Sequence, residues 1–271
     1  MKKVLTLVLS ATIALSLAAC GAKNTDGAKD SKKDSKVITV GASPAPHSEI
    51  LETIKDDLSK KGYELKIEKF TDYKTPNTAL DNKDLDANFF QHVPYLEKEV
   101  KERGFKLDYT VKVHLEPIAL YSKKIKDIKD LKDGAKIAVP NDPTNETRAL
   151  RILEKAGLIK VKDGDLVTAR DIVENPKNLK ISELEGAQIP RSLDDVDAAV
   201  INTNFALEVG LTPTKDGLLV EDKDSPYANI LAVRKDNKDS DAIKALSEAL
   251  TSDKVKQFIK EKYKGSILPS F

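Results

Sequence analysis

Residues 86–96 gather most of the chemistry this chain can offer a small molecule. Asp86, Asn88, Phe89, Phe90, Gln91, His92, Pro94 and Tyr95 fall within them. Aromatic residues make up only 5% of the chain and Trp is missing from it, so three rings in one short run stand out. Rings beside an imidazole and two amides suit a ligand with an apolar body that must also be oriented. The same residues would also serve a buried segment at a helix start, with Pro94 in the first turn. A second set lies at Val139-Pro140-Asn141-Asp142-Pro143-Thr144-Asn145-Glu146-Thr147-Arg148. It runs from a strand through a Pro-rich turn into a helix. Thr144 or Asn145 is the expected N-cap, and the N–H groups there favour an anion. Arg148 lies about one turn inside, where its fork can meet a carboxylate with two parallel hydrogen bonds. Taken alone, Arg148 reads first as a surface arginine on the helix flank, paired with Glu146 or solvent.

Those residues need strands and helices to hold them, and the apolar pattern supplies both. Residues 37–41, 64–70, 111–115 and 118–121 read as strands. His47 opens a helix with Ile50, Leu51, Ile54 and Leu58 on one face, and Gly62 ends it. A helix over 94–103 stops at Gly104. A second cycle follows: strand 135–139, helix 147–156 with Gly157 as its stop, and strands at 179–181, 197–201 and 230–233. From Asp241 the chain turns helical, with Ile243, Leu246, Leu250, Val255, Ile259 and Tyr263 as its apolar positions. Two strand–helix cycles imply an α/β fold of two lobes. Ligands in open α/β sheets bind beyond the carboxyl ends of strands. Asn141, Asn202 and the loop after Val40 all follow strands and would face a shared cleft.

The N-terminus has a different character. Lys2 and Lys3 precede an apolar run that ends in Leu17-Ala18-Ala19-Cys20. This is a secretory signal, too short for a membrane span, and residues 1–19 stand apart from the fold. The last four residues resemble the lipobox of bacterial lipoproteins, which implies cleavage before Cys20 and acyl chains on it. Cys20 is the only cysteine, so no intrachain disulfide can form. Residues 21–36 hold no large apolar side chain, and with Cys20 they form a flexible tether over 20–36. Acyl chains at about 0.8 kcal/mol per buried methylene would hold the protein on the membrane without a transmembrane helix.

The body from Val37, about 235 residues, is long enough for one large domain or two. The chain carries 45 basic and 44 acidic residues; removing the signal takes Lys2 and Lys3 and leaves 43 against 44. A balance so close to zero argues against a nucleic-acid binder.

Several ordered motifs resemble one family. They are 86–92, 139–145 with Arg148, 174–180, 190–195, 199–202, 211–213 and 225–229. Together they are similar to the methionine-binding lipoproteins of bacterial ABC importers, the NlpA or MetQ type. The resemblance covers nearly everything from Val37 onward. It implies a two-lobed, periplasmic-binding-protein-like (type II) fold with a ligand cleft between the lobes. Lobe 1 would comprise 37–117 plus 228–271, and lobe 2 118–227, with hinges near Glu116-Pro117 and Tyr227. It further implies that Tyr73, Phe90, His92 and Tyr95 surround a thioether side chain. Arg148 with Asn145 would clamp the ligand carboxylate, and Asn202 and Asn229 would hold the amino-acid head group. Phe89 stands where some members carry a small residue, which would alter the shape of the side-chain pocket. The implied role is capture of methionine, L- or D-, outside the cytoplasm and delivery to a permease with its ATPase subunits. The protein would be lipid-anchored to the cell membrane through Cys20, with no cofactor.

Other classes fare less well. His47, His92 and His114 with an acid could ligate zinc in a metal-binding solute lipoprotein, but their spacing forms no ligand motif, and Arg148 would repel a cation. No G-x-S-x-G, H-E-x-x-H or P-loop is present, and the adjacent Asp194-Asp195 reads as a solvated turn, so an enzyme is not expected. An adhesin or structural lipoprotein would take no tight small ligand.

Overall fold

The computed structural model describes residues 36–271. The expected signal, Cys20 and all of the tether except Lys36 therefore lie outside the described residues. In chain order the elements are β1 (Lys36–Ala42), α1 (Glu49–Lys60), β2 (Tyr63–Lys69), α2 (Thr75–Asp81), β3 (Ala87–Phe89), α3 (Val93–Arg103), β4 (Leu107–Leu115) and β5 (Ala119–Tyr121). Then come β6 (Lys136–Pro140), α4 (Pro143–Lys155), β7 (Lys160–Val161), β8 (Ile172–Glu174), β9 (Lys180–Leu184), α5 (Ile189–Ser192), β10 (Ala198–Ile201) and α6 (Thr203–Glu208). The chain closes with α7 (Pro213–Asp216), β11 (Leu219–Val220), β12 (Ala228–Arg234), α8 (Asp241–Leu250), α9 (Asp253–Tyr263) and β13 (Leu268–Pro269).

Two twisted sheets carry the fold. The first runs β13-β4-β12-β3-β1-β2, and the second β11-β5-β10-β6-β9. The cores of both sheets are parallel: β1 pairs with β2 and β3, and β6 with β9 and β10. The remaining strands join antiparallel. Strands covered on both faces read as continuous apolar runs, because alternate side chains enter different cores. In β12, Leu231 and Val233 enter one core while Ile230 and Ala232 enter another. In β10, Ala198 and Val200 face one side, and Ala199 and Ile201 the other.

The expected apolar faces are the buried ones. Ile50, Leu51, Ile54 and Leu58 of α1 are fully buried against Ile243, Leu246, Leu250, Val255 and Ile259 of the C-terminal helices. That C-terminal stretch is two helices, because Ser252 caps a new one, its hydroxyl accepting the Val255 N–H. Gly104 ends α3 with φ of 73°, a conformation that costs a glycine little.

The chain passes between the sheets twice, at 116–118 and at 221–227. Both passages border the site described next. Helix α6 also bridges, since its Leu207 packs against the core of the first sheet. Among the described residues no helix is long and apolar enough to cross a membrane.

Candidate functional site

Between the two sheets lies a small chamber of about 20 Å³, room for about one water. Tyr73, Phe90, His92, Tyr95, Asn145, Arg148, Asn202 and Asn229 all line it. The wall thus draws on both sheets and on motifs more than a hundred residues apart. Gln91, Glu116, Thr203 and Asn204 complete it.

The aromatic end is built at the start of α3. β3 ends at Phe89, the chain turns, and His92 caps α3 by accepting the Tyr95 N–H at Nδ1 (3.2 Å). That bond places the imidazole proton on Nε2, which reaches Asn145 Oδ1 at 3.2 Å. The Tyr73, Phe90 and Tyr95 rings stand 5.7–6.0 Å apart, tilted and edge-on. The Tyr95 hydroxyl donates to the Tyr73 carbonyl, and the Tyr73 hydroxyl to Asn204 Oδ1. Burial pushes both phenols up, so both act as neutral donors. Phe89 points the other way, into the first core, edge-on to His47 and His114. It therefore does not shape the chamber, contrary to expectation. Asn88 and Gln91 exchange bonds with each other and with Asn77 at 2.6–2.9 Å, fixing the backbone beneath the rings.

The polar end is organised by α4. Its N-cap is Asp142, not Thr144 or Asn145: Asp142 Oδ1 accepts the Asn145 N–H at 3.0 Å, and Pro143 takes the first helical position. Both Asp142 oxygens also accept from Asn145 Nδ2, which aims Asn145 Oδ1 into the chamber. Three donors converge on that one oxygen: Arg148 Nη1 (3.0 Å), Asn202 Nδ2 (2.9 Å) and His92 Nε2 (3.2 Å). An amide oxygen has two lone pairs. Donors are in surplus here, which is what an incoming anionic oxygen requires. Asn204 Nδ2 adds to the surplus, for it is buried without a partner among the described residues.

Arg148 is held differently from a simple clamp. Its two-pronged edge is taken by Glu221, with Nε to Oε1 at 2.9 Å and Nη2 to Oε2 at 2.6 Å. Nη2 also donates to the Glu116 carbonyl, and the guanidinium stacks 4.4 Å over the Tyr227 ring. Burial pulls the guanidinium down, but the Glu221 carboxylate outweighs it and holds Arg148 firmly protonated.

Acceptors gather on the facing wall. Asn202 occupies the N-cap position of α6 without capping it, so its side chain is not spent on the helix. Asn202 Oδ1 is buried without a partner among the described residues. Glu116 also lines the chamber. His114 Nε2 (2.7 Å) and His47 Nε2 (3.2 Å) both converge on its Oε1. His47 Nε2 also reaches Asn229 Oδ1 at 3.0 Å, so that amide oxygen is already engaged. Burial pushes the Glu116 carboxyl above its usual range, against the pull of His47 and Arg148. Burial lowers His47 to about 4, with Glu116 opposing, and His114 to about 3.

His47, His114 and Glu116 thus form the buried cluster that their sequence spacing did not reveal, and His92 stands outside it. Its hydrogen bonding disfavours a metal. Neither Nδ1 has a partner among the described residues, so the ring protons sit on Nε2, where Glu116 accepts that of His114 and Asn229 Oδ1 that of His47. A metal would need those lone pairs bare and an acceptor behind each Nδ1–H. The available signal for Glu116 was His114-x-Glu116, two residues apart on one face of a strand. Asn204 follows Asn202 by the same spacing. Among the expected cleft loops, Asn202 reaches the chamber, whereas Asn141 faces a separate outer groove beside Glu185.

Comparison with known proteins places this architecture. Residues 38–271 match the family model of the NlpA lipoprotein. The D-methionine-binding lipoprotein MetQ of Salmonella typhi is 49% identical over 257 residues, covering 93% of this chain and 92% of that one. MetQ of Escherichia coli K12 is 48% identical, covering 88% and 90%. A nutrient-binding protein from Burkholderia cenocepacia, solved bound to methionine, shares 52% identity, covers 86% of this chain and all of that one, and superposes with a TM-score of 0.84. The fold is accordingly that of a two-lobed periplasmic substrate-binding protein with its cleft between the lobes. The chain belongs to the NlpA lipoprotein family.

Proposed function

We propose that this chain captures methionine outside the cytoplasm and delivers it to an ABC importer. The observation that carries the reading is the split chemistry of the chamber: surplus donors around Asn145 Oδ1, acceptors at Asn202 Oδ1 and Glu116, and rings at the far end. An amino-acid zwitterion with an apolar side chain complements all three. Its carboxylate meets Arg148 Nη1, Asn204 Nδ2 and the Asn145 region. Its ammonium meets Glu116 and the Asn202 oxygen. Each buried charge is then met by hydrogen bonds, without which burial would be very costly. Tyr73, Phe90, Tyr95 and the carbon edge of His92 surround the side chain. A thioether sulfur gains roughly 0.3–1.5 kcal/mol per aromatic contact, which favours methionine over leucine. Family relatives carrying methionine in their names support the same ligand.

In this reading the lobes comprise 37–117 with 228–271 and 118–227, and they close by bending at 116–118 and 221–227. Cys20 carries the lipid anchor on the outer side of the cell membrane, and the closed form docks on the permease whose ATPase subunits drive import. Calorimetry on protein freed of ligand by unfolding and refolding tests the proposal. One L-methionine per chain is expected, with D-methionine weaker and leucine weaker still. Absence of binding, or leucine bound as tightly as methionine, contradicts it.

A further inference from the structure

We infer that Glu221 is a positioning residue for this binding site: it takes the two-pronged edge of Arg148 and leaves a ligand carboxylate only the Nη1 side. The inference rests on the proposed seat of the carboxylate at Arg148. An arginine has five N–H donors. Four of the Arg148 donors are engaged, two by Glu221, one by the Glu116 carbonyl and one by Asn145 Oδ1. The one left over is on Nη1, the nitrogen that points to Asn145 and the chamber.

Glu221 does not occupy the ligand's place. It lies outside the chamber, in a groove it shares with Arg151, Lys155, Pro226 and Tyr227, and Arg148 forms the partition between the two spaces. The pair is buried, with 3% of the Arg148 side chain and 10% of the Glu221 side chain exposed. Glu221 is itself fixed to the other passage between the sheets. Its N–H donates to the Ile118 carbonyl at 2.9 Å, and its Oε2 accepts the Ile118 N–H at 3.3 Å. The Tyr227 ring, six residues on, supports Arg148 from below and meets the His92 ring at 5.0 Å. Both passages between the sheets therefore meet at one guanidinium, and that guanidinium is charge-balanced before a ligand arrives.

Two consequences follow for specificity. The ligand carboxylate binds through one arginine N–H rather than a fork, so removing its charge costs less than an unbalanced arginine would make it cost. Discrimination then rests more on the ammonium. Calorimetry at pH 6, where both α-amines are protonated, compares L-methionine with L-methioninamide on wild type and on Glu221→Gln. Gln keeps the shape and removes the charge. The ratio of the amide Kd to the methionine Kd is expected to rise at least about tenfold in the variant, because the guanidinium charge becomes available to the carboxylate. Glu221→Asp, which keeps the charge but shortens the reach, is expected to raise the ratio less, and it serves should the Gln variant fail to fold. If Glu221 merely supports the fold, both ligands weaken by the same factor; an unchanged or smaller ratio overturns the inference. Wild type that binds neither ligand overturns the proposed function itself.

Discussion

Replacing Glu116 with Gln separates the two jobs of this residue. In wild type Oε1 accepts from His114 Nε2, whose proton has no other partner among the described residues, and lies 3.2 Å from His47 Nε2, which hydrogen-bonds Asn229 Oδ1. The Gln oxygen must therefore stay toward His114, which turns its NH₂ group into the chamber. A ligand ammonium would lose a carboxylate and meet a second donor. Truncating one partner of a buried, hydrogen-bonded charge pair costs roughly 2–5 kcal/mol. At about 1.4 kcal/mol per decade, affinity for methionine falls at least about 25-fold. The ligand-free protein moves in the opposite direction. The folded-state pKa of Glu116 is raised above its ordinary 4.5, so the folded chain binds more protons than the unfolded one in the window above 4.5. Stability from this group is greatest below pH 4.5 and declines as pH rises; Gln carries no such penalty at pH 7. Glu116→Gln should thus bind methionine weakly and unfold at higher urea than wild type, both without ligand. A methionine Kd within threefold of wild type would refute the placement of the ammonium at Glu116.

Two further outcomes follow from the polar end. Burial lowers His47 to about 4 and His92 and His114 to about 3, from an ordinary 6.5. The fold holds all three neutral, so their contribution is complete above pH 6.5 and is lost as pH falls toward those values. At about 1.4 kcal/mol per unit, each gives up roughly 2 kcal/mol between pH 6.5 and 5. The raised carboxyls of Glu116 and Glu146 return part of this; urea titrations should still show a net fall, and stability that rises toward pH 5 contradicts the assignment. Asp142→Ala removes the cap of α4 and both acceptors of Asn145 Nδ2. A loss of about 0.5–2 kcal/mol in urea stability is expected with weaker methionine binding, and unchanged affinity would mean Asn145 is held by its other partners alone.

Apolar spacing was a good guide wherever an element has two dry faces or one dry stripe. β10 and β12 read as unbroken apolar runs because their alternating side chains fill separate cores on either side of a sheet. The stripe on α1 was plain for the same reason. Elements held by polar groups were hidden. α2 was not among the expected elements: its one buried large apolar side chain is Leu80, and its buried Asn77 is tied to Asn88 and Gln91. β4 begins at Leu107, four residues before the expected strand, in a stretch whose outward residues are half exposed. The N-cap of α4 was legible and misread. Pro143 lacks an N–H and fits the first helical position, so the residue before it, Asp142, was the one free to cap.

The site shows the same division between types and pairings. Spacing and resemblance brought together the residues that line the chamber, because each carries a feature rare in this chain: a ring, an amide after a strand, an arginine one turn into a helix. What they could not reveal is which groups satisfy one another. Glu221 is 73 positions from Arg148 and meets it only because β11 lies beside β5, carrying the next residue to Ile118. His47 reaches Glu116 because β1 lies in the same sheet as β4, with β12 and β3 between them. These pairings change the chemistry expected of the named residues. An arginine thought to meet a ligand with its whole fork has that fork taken by Glu221, and an amide oxygen thought to receive an ammonium, that of Asn229, is already taken by His47. In the proposed reading the negative charge for that ammonium falls to Glu116, a residue that sequence alone marked only as a hinge. Beside two neutral imidazoles, the Glu116 carboxyl has no cation in direct contact among the described residues. A cationic group entering the chamber supplies one, and that missing charge is the strongest reason to expect the ligand to arrive with its amine free.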